Sequence, residues 1–187
     1  SGKAPGYIIG SIVHKIIAGW DSLALPEIER RSILVRLARR EGLTPGATVS
    51  HAVKRAERMI ANLLSHPVYE QVCGARLRYF ELPFDYDSPA GSLHGVIDVL
   101  YQGQDGGWQL IDWKTEWAPA GSAEQVIQGS IPQLAVYWMA VKEAMQVEPQ
   151  VTVCLLNPKC IARLIAAEDL AAAWVAISES ELVPRYR

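Results

Sequence analysis

Two aspartates and one lysine carry the most specific chemical signal in this sequence. Asp98 lies inside the apolar run Gly95-Val-Ile-Asp98-Val-Leu-Tyr101, and Asp112 ends a second apolar run, two residues before Lys114. A carboxylate in such a run is costly unless it is paired or binds a cation. Residues two apart in a strand project to the same face, so Asp112 and Lys114 should point together. If the two strands pair across the turn at 102–107, both carboxylates and the ammonium converge at one edge of a sheet.

This set of groups suits the hydrolysis of a phosphodiester. Carboxylates hold Mg²⁺ or Mn²⁺, which stabilise charge on a phosphate and activate a water molecule. A lysine adds a fixed positive charge near the reacting phosphate. The alternative is a structural ion pair between Asp112 and Lys114, because Asp-x-Lys alone is a weak signal. Two acids in apolar strands, joined by a turn and followed by a lysine, favour the catalytic interpretation.

The first third of the chain is predicted to be helical. Apolar residues at helical spacing predict one helix over 7–19, with His14 between the members of its apolar face. Proline and glycine signals bound a second helix at 26–41, and a third is predicted over about 48–65. Eight basic residues fall on the second and third helices: Arg30, Arg31, Arg36, Arg39, Arg40, Lys54, Arg55 and Arg58.

From residue 75 onward the apolar pattern alternates, which predicts strands. We expect an antiparallel meander of strands at 75–86, 92–101 and 108–113, joined by turns at 87–91 and 102–107. A loop or irregular helix start is expected over 115–129. Ser130 should then cap a helix that has Pro132 in its first turn and runs to about Met145. Strands at 151–156 and 160–166 and a helix at 168–177 complete the prediction.

Composition excludes several classes of protein. Half of the 187 residues are apolar, which excludes a disordered chain, and apolar runs are too short to span a membrane. Three widely spaced cysteines indicate a reducing compartment, and we expect a cytoplasmic protein. The net charge of −2 conceals an asymmetry: residues 1–79 carry +6 and residues 80–187 carry −8. That asymmetry favours an anionic partner, although arginine-rich solvated helix faces would explain it equally well.

Four motifs, in order along the chain, resemble those of a known protein family. The segments Gly95-Val-Ile-Asp98 and Leu110-Ile-Asp112-Trp-Lys114-Thr115 resemble the core of PD-(D/E)xK nucleases. More narrowly, they resemble the RecB-type branch found at the C-terminus of RecB and AddA helicase-nuclease subunits. Gly10-x-x-x-His14, Glu81-Leu-Pro-Phe84 and Gln133-x-x-x-Tyr137 are similar to three further motifs of that branch. The matches span residues 10–137, which is most of the chain.

The resemblance assigns roles to the motif residues. It implies that Asp98 and Asp112 are metal-binding carboxylates and that Lys114 is the catalytic lysine. The backbone carbonyl of Trp113 and the imidazole of His14 would be additional metal ligands. The alternative for His14 is a core histidine bonded to a backbone carbonyl.

Three more residues would support the site. Gln133 and Tyr137, four residues apart, share one helical face and would bind DNA or brace Lys114; ordinary polar helix packing is the alternative. Glu81 would be an outer metal ligand or a supporting group, although a glutamate at a strand edge is common.

The predicted fold is an α/β, restriction-endonuclease-like core: a central mixed sheet with an antiparallel meander, flanked by helices, plus an N-terminal helical region. We expect one domain over 1–187, helical over about 1–72 and with the nuclease core over about 73–187. The start at Ser-Gly-Lys-Ala-Pro, with a helix soon after, predicts a module excised from a larger helicase-nuclease.

The resemblance also implies the activity and its partners. It implies a Mg²⁺- or Mn²⁺-dependent DNA exonuclease domain acting in double-strand break repair and recombination. Expected partners are DNA, as single strands or duplex ends, helicase domains of the same chain and a partner subunit, with no membrane. An iron–sulfur cluster is not expected with three cysteines, and no phosphate loop predicts an ATP site. The alternatives are a catalytically silent DNA-binding or scaffold domain and a standalone exonuclease.

Overall fold

The computed structural model describes residues 2–44, 46–88 and 91–179. Its helices are α1 (Gly6–Ala18), α2 (Glu27–Arg40), α3 (Gly46–Leu64), α4 (Pro67–Cys73), α5 (Ala123–Met145) and α6 (Ala167–Ser178), with a 3-10 helix at Trp20–Ala24. Its strands are β1 (Leu77–Ser88), β2 (Gly91–Gln102), β3 (Trp108–Lys114), β4 (Gln150–Leu155) and β5 (Ile161–Ile165).

The chain divides into two compact units, one helical and one built on a sheet. The helical unit comprises Ser1–Tyr69, Trp113–Pro119 and Leu155–Ile161. The sheet unit comprises Glu70–Asp112, Ala120–Cys154 and Ala162–Arg187.

The helical unit packs around the apolar face of α1. Burial of an apolar side chain contributes roughly 1.5–3 kcal/mol, and six side chains of α1 are buried: Ile8, Ile9, Ile12, Val13, Ile16 and Ile17. At the end of α1, the ring of Trp20 stacks on Tyr69 and on Trp113, with ring centroids 5.3 and 6.4 Å apart.

Ion pairs join the surfaces of the three long N-terminal helices. Arg31 of α2 donates from one nitrogen to both carboxylate oxygens of Glu57 on α3, each at 2.8 Å. Lys15 and Ser11 of α1 both donate to Glu41, which follows α2. The bond from Lys15 lowers the pKa of Glu41 below its usual value. Part of the predicted basic surface therefore serves to hold helices together.

The sheet unit contains a five-stranded mixed sheet in the order β1-β2-β3-β4-β5. The strands β1 and β2 pair antiparallel from Leu77 with Gln102 to Ser88 with Gly91, and β2 pairs antiparallel with β3. Helix α5 packs against α6 and β1. Tyr86 of β1 donates to Glu143 of α5 at 3.0 Å, and burial together with this carboxylate raises the pKa of Tyr86 to about 12.

The predicted fold class is confirmed: N-terminal helices precede a mixed sheet whose first three strands form an antiparallel meander. Residues 89 and 90 of the predicted turn at 87–91 lie outside the described part of the chain. The apolar pattern does not predict the short helix α4.

The start of α5 corrects a sequence prediction. The sequence predicts a loop or an irregular helix start over 115–129 with Ser130 as the helix cap, but the regular helix α5 already begins at Ala123. Ala123 and Ile127 are buried and extend the apolar face of the helix upstream. The side chain of Ser130 therefore lies inside the helix and donates to the carbonyl of Val126 at 2.8 Å. Pro132 lies in the interior as well, where burial of the flanking apolar residues offsets its missing hydrogen bond.

Candidate active site

The pairing of β2 with β3 ends next to two aspartates, one on each strand. The register runs from Gln102 opposite Trp108 to Val99 opposite Ile111, and the same register continued by one residue would set Asp98 opposite Asp112. Residues directly opposite each other project to the same face of a sheet. Asp112 is buried, with 3 % of its surface exposed, and Asp98 is half-buried. The observed pairing thus ends one residue before both acids, and their side-by-side position stays a prediction of the sequence.

A third carboxylate reaches the same place from β1. The β1–β2 register pairs Phe80 with Val99 and Leu82 with Ile97, which brings Glu81 level with Asp98. Carboxylate oxygens of Glu81 and Asp98 lie within 4.8 Å of each other. The backbone of Glu81 adopts a φ of 47°, a left-handed conformation that costs a non-glycine residue of order 1–3 kcal/mol. Such conformations cluster at functional sites.

Tyr137 of α5 lies close to these carboxylates. Its pKa is raised above the usual value, first by burial and then by the negative charges of Asp112, Asp98 and Glu81. Gln133, one helical turn earlier, donates to the Tyr137 hydroxyl oxygen at 2.6 Å. Since the oxygen accepts from Gln133 and the pKa is raised, the hydroxyl keeps its proton at neutral pH and can donate it.

A glycine lets the Tyr137 ring approach β2. The rings of Tyr137 and Phe84 meet edge to face with centroids 5.5 Å apart. A Cβ added to Gly95 would lie 2.7 Å from the Phe84 ring and 3.5 Å from the Tyr137 ring. The glycine that begins the Gly95-Val-Ile-Asp98 motif therefore has a steric role: it leaves room for the aromatic pair that positions the Tyr137 hydroxyl.

The last two residues of β3, Trp113 and Lys114, belong to the helical unit. Trp113 is 2 % exposed, and its ring stacks on Trp20. The backbone carbonyl of Lys114 accepts a hydrogen bond from the Leu156 amide at 2.9 Å. This bond fixes the backbone at Lys114, whose side chain is half-buried.

Two asparagines hold the backbone just beyond Lys114. Asn157, 3 % exposed, donates to the carbonyl of Thr115 at 3.2 Å. Asn62 of α3 donates to the carbonyls of Leu156 and Pro158 at 2.8 and 2.9 Å. Sequence reasoning missed both residues. The Asn157-Pro158 dipeptide is a turn signal, whereas Asn62 is a single polar residue in an amphipathic helix and gives no distinct signal.

Helix α1 approaches the same backbone through Gly10. A Cβ added to Gly10 would lie 2.8 Å from the side-chain oxygen of Thr115. His14 is half-buried and one helical turn after Gly10, so the two residues share a face of α1. The first motif of the sequence, Gly10-x-x-x-His14, thus places its glycine against the residue that follows Lys114.

The carboxylates of Glu81, Asp98 and Asp112 are suitable ligands for a divalent cation. Glu81, Asp98 and Asp112 offer carboxylate oxygens near the Tyr137 hydroxyl, and those of Glu81 and Asp98 lie within 4.8 Å of each other. Their oxygen ligands are those that Mg²⁺ and Mn²⁺ prefer. The donor set therefore matches the metal expected from the sequence.

Among the described helices, none is long and apolar enough to cross a membrane.

Comparison with known proteins identifies the family. A search of curated proteins found no match. Residues 3–180 match the sequence model of the PD-(D/E)XK nuclease superfamily, which covers nearly the whole chain. The match includes every motif residue described above, from Gly10 to Tyr137. The chain belongs to the PD-(D/E)XK nuclease superfamily.

Proposed function

We propose that this chain is a nuclease domain, residues 1–187, that hydrolyses phosphodiester bonds of DNA with Mg²⁺ or Mn²⁺. The observation that carries the proposal is the gathering of Glu81, Asp98 and Asp112 around the Tyr137 hydroxyl, with Lys114 two residues after Asp112. Membership of the superfamily supports the same chemistry.

We assign the metal to residues of three of the four motifs. Asp98 and Asp112 would hold the cation, together with the His14 imidazole and the Trp113 carbonyl, and Glu81 would support it from β1. When bound, the cation supplies positive charge for the phosphate oxygens and favours deprotonation of a coordinated water. The contact between Gly10 and Thr115 supports the role of His14, because it turns this face of α1 toward the end of β3.

The remaining residues act on the phosphate and on the carboxylates. Lys114 projects to the same strand face as Asp112 and would stabilise the negative charge that develops on the phosphate. Tyr137, held by Gln133, would donate to a carboxylate and keep it oriented as a ligand. Hydrolysis adds water across one P–O ester bond, and the leaving oxygen takes up a proton.

The narrower setting of this proposal comes from the RecB-type order of the motifs. In this setting the domain would work beside helicase domains of the same protein and a partner subunit, in an exonuclease that processes DNA ends during repair in the cytoplasm. The exposed basic residues of α2 and α3 support a DNA substrate.

The test is cleavage of labelled single-stranded DNA and of duplex ends by the purified chain with Mg²⁺ or Mn²⁺. We expect Asp112→Ala and Lys114→Ala each to reduce the rate at least about 100-fold, the scale on which loss of one charge-stabilising group acts. Asp85→Asn and Lys159→Ala are matched controls at exposed positions and should retain the native rate.

Full activity in both Asp112→Ala and Lys114→Ala would contradict the catalytic assignment. Binding of DNA without cleavage, with no metal dependence, would instead identify a catalytically silent module of the same fold.

A further inference from the structure

A pocket of about 460 Å³ opens in the helical unit beside the residues that follow Lys114. Its lining includes Tyr7 of α1, Arg55 and Met59 of α3, and Thr115, Glu116 and Trp117. Pockets of this volume hold small organic molecules or parts of larger ligands. The proposed catalytic groups do not line this pocket.

Two aromatic side chains of the pocket are unusually open to solvent. Tyr7 is 79 % exposed and Trp117 is 59 % exposed. Exposed aromatic rings provide flat apolar faces on which nucleic acid bases stack. Met59, which also lines the pocket, is buried, with 2 % exposed, and adds an apolar side chain.

The charged groups of the pocket differ in what they can bind. The half-buried guanidinium of Arg55 suits a phosphate, which it can bind through two parallel hydrogen bonds. The exposed carboxylate of Glu116 repels a phosphate and accepts hydrogen bonds from a base. A ligand with an aromatic base and a phosphate therefore satisfies each type of group present.

The pocket lies close along the chain to the proposed catalytic lysine. Thr115 is the next residue after Lys114, and Trp117 is three residues after it, at most about 11 Å away along an extended backbone. One strand of DNA carries a phosphate about every 3.4 Å along a helix axis. A strand whose phosphate lies at Lys114 can thus place a nucleotide a few positions away in the pocket.

We propose that this pocket binds one nucleotide of single-stranded DNA a few positions away from the cleaved phosphate. Its base stacks on Trp117 and Tyr7, and its phosphate binds Arg55. The proposal rests on the proposed nuclease function and narrows its substrate, because a base in a duplex is already stacked and is not free to enter.

The test measures binding of fluorescein-labelled single strands to the full chain carrying Asp112→Asn, in the presence of Mn²⁺, by fluorescence anisotropy. One probe is oligothymidylate, and the other has the same length and backbone but abasic residues. We expect Trp117→Ala to raise the Kd for oligothymidylate at least about fivefold, the lower end of the effect of base stacking, and to leave the abasic Kd unchanged. Arg55→Gln should raise both. Ile28→Ala, at a 72 % exposed apolar residue outside the pocket, is the control and should change neither.

A Kd that Trp117→Ala leaves unchanged, or raises equally for both probes, would overturn the proposal. Binding of neither probe by the chain that carries Asp112→Asn alone would overturn it as well. A circular dichroism spectrum checks that each variant folds. If Trp117→Ala does not fold, photocrosslinking of 5-iododeoxyuridine strands to the native chain decides: adducts at Tyr7 or Trp117 support the pocket, and adducts confined to other residues overturn it. Cleavage that persists in Asp112→Asn would refute only the catalytic assignment. A Kd for oligothymidylate that Trp117→Ala leaves unchanged would refute only the proposed pocket.

Discussion

Tyr137 is the residue at which the geometry of the site is most informative. Its hydroxyl accepts from Gln133 and lies in the field of Asp112, Asp98 and Glu81. Because burial and these charges raise its pKa, the phenol stays neutral and remains a donor across the neutral pH range. This combination fits a group that orients carboxylates rather than one that exchanges protons.

Replacing Tyr137 by Phe should lower kcat/KM and the affinity for Mn²⁺ by about 10- to 100-fold, the usual effect of removing a group that orients a metal ligand. The ring and its contact with Phe84 are retained in this variant, so its fold should persist. Since the raised pKa keeps the native phenol protonated, the ratio of native to variant rates should stay constant from about pH 6 to about pH 9, below the usual pKa of a tyrosine.

Tyr86→Phe provides the matched control for this prediction. Tyr86 also has a raised pKa and donates to a carboxylate, but its partner is Glu143. The control should keep its activity. A rate ratio for Tyr137→Phe near one, or one that changes steeply with pH, would contradict the orienting role.

The sequence predicts some of these residues and not others. Asp98 and Asp112 are recognisable because carboxylates in apolar strands are physically unusual, and the turn between the strands implies their pairing. The left-handed φ of Glu81 has no sequence signal, since glycine or asparagine is the usual residue in that conformation. Asn62 donates to the carbonyl of Leu156, 94 positions further along the chain, and Asn157 donates to the carbonyl of Thr115, 42 positions earlier. Local sequence patterns do not encode contacts at such separations.

At the scale of elements, close approach of α1 to the end of β3 depends on one glycine. The apolar spacing of α1 predicts the helix to within one residue of its observed start and end, but not what its Gly10 faces. The structure shows that Thr115 occupies the space where a Cβ of residue 10 would lie. The start of α5 is not predicted from the sequence either, because it also depends on tertiary packing. Ser130 and Pro132 are typical of a helix start, but burial of Ala123 and Ile127 extends the helix upstream of them.

Gly10→Ala should reduce the free energy of unfolding by about 1–3 kcal/mol, the cost of overpacking a well-packed contact. In a chain that already carries Thr115→Ala, Gly10→Ala should leave the free energy of unfolding unchanged or raise it by up to about 1 kcal/mol. The Thr115 oxygen that a Cβ at residue 10 would approach is then absent, and alanine is a better helix former than glycine. Urea unfolding of the native chain, both single variants and the double variant measures this coupling.

The same destabilisation by Gly10→Ala with and without Thr115→Ala would contradict the assigned contact. Gly6→Ala serves as the control, since a Cβ there meets no other atom within 4 Å.

At the scale of the whole molecule, charge is divided along the chain rather than balanced locally. Residues 1–79 carry +6 and residues 80–187 carry −8. The acidic excess includes the proposed metal carboxylates, whose charge a bound cation offsets. Within the basic part, Arg31 pairs with Glu57 and Arg30 bonds to the carbonyls of Leu23 and Leu25. The exposed Arg36, Arg39 and Arg40 are therefore better candidates for contact with DNA.

A triple variant, Arg36→Gln, Arg39→Gln and Arg40→Gln, should weaken DNA binding at low salt. The slope of log K against log salt should become shallower by about 0.7 for each phosphate of single-stranded DNA that the variant no longer neutralises. Lys159→Gln in the other part of the chain is the control. An unchanged slope in the triple variant would exclude these arginines from the DNA-binding surface.

We propose above all that Asp98 and Asp112, with Glu81 in support from β1, hold a divalent cation. Calorimetric titration of Mn²⁺ into the native chain, alone and with single-stranded DNA, tests it most directly, with Asp98→Asn for the site and Asp85→Asn as the exposed control. We predict saturable binding by the native chain and the control, and a decrease in affinity of at least about tenfold in Asp98→Asn. No binding by the native chain even with DNA, or undiminished binding by Asp98→Asn, would contradict the account.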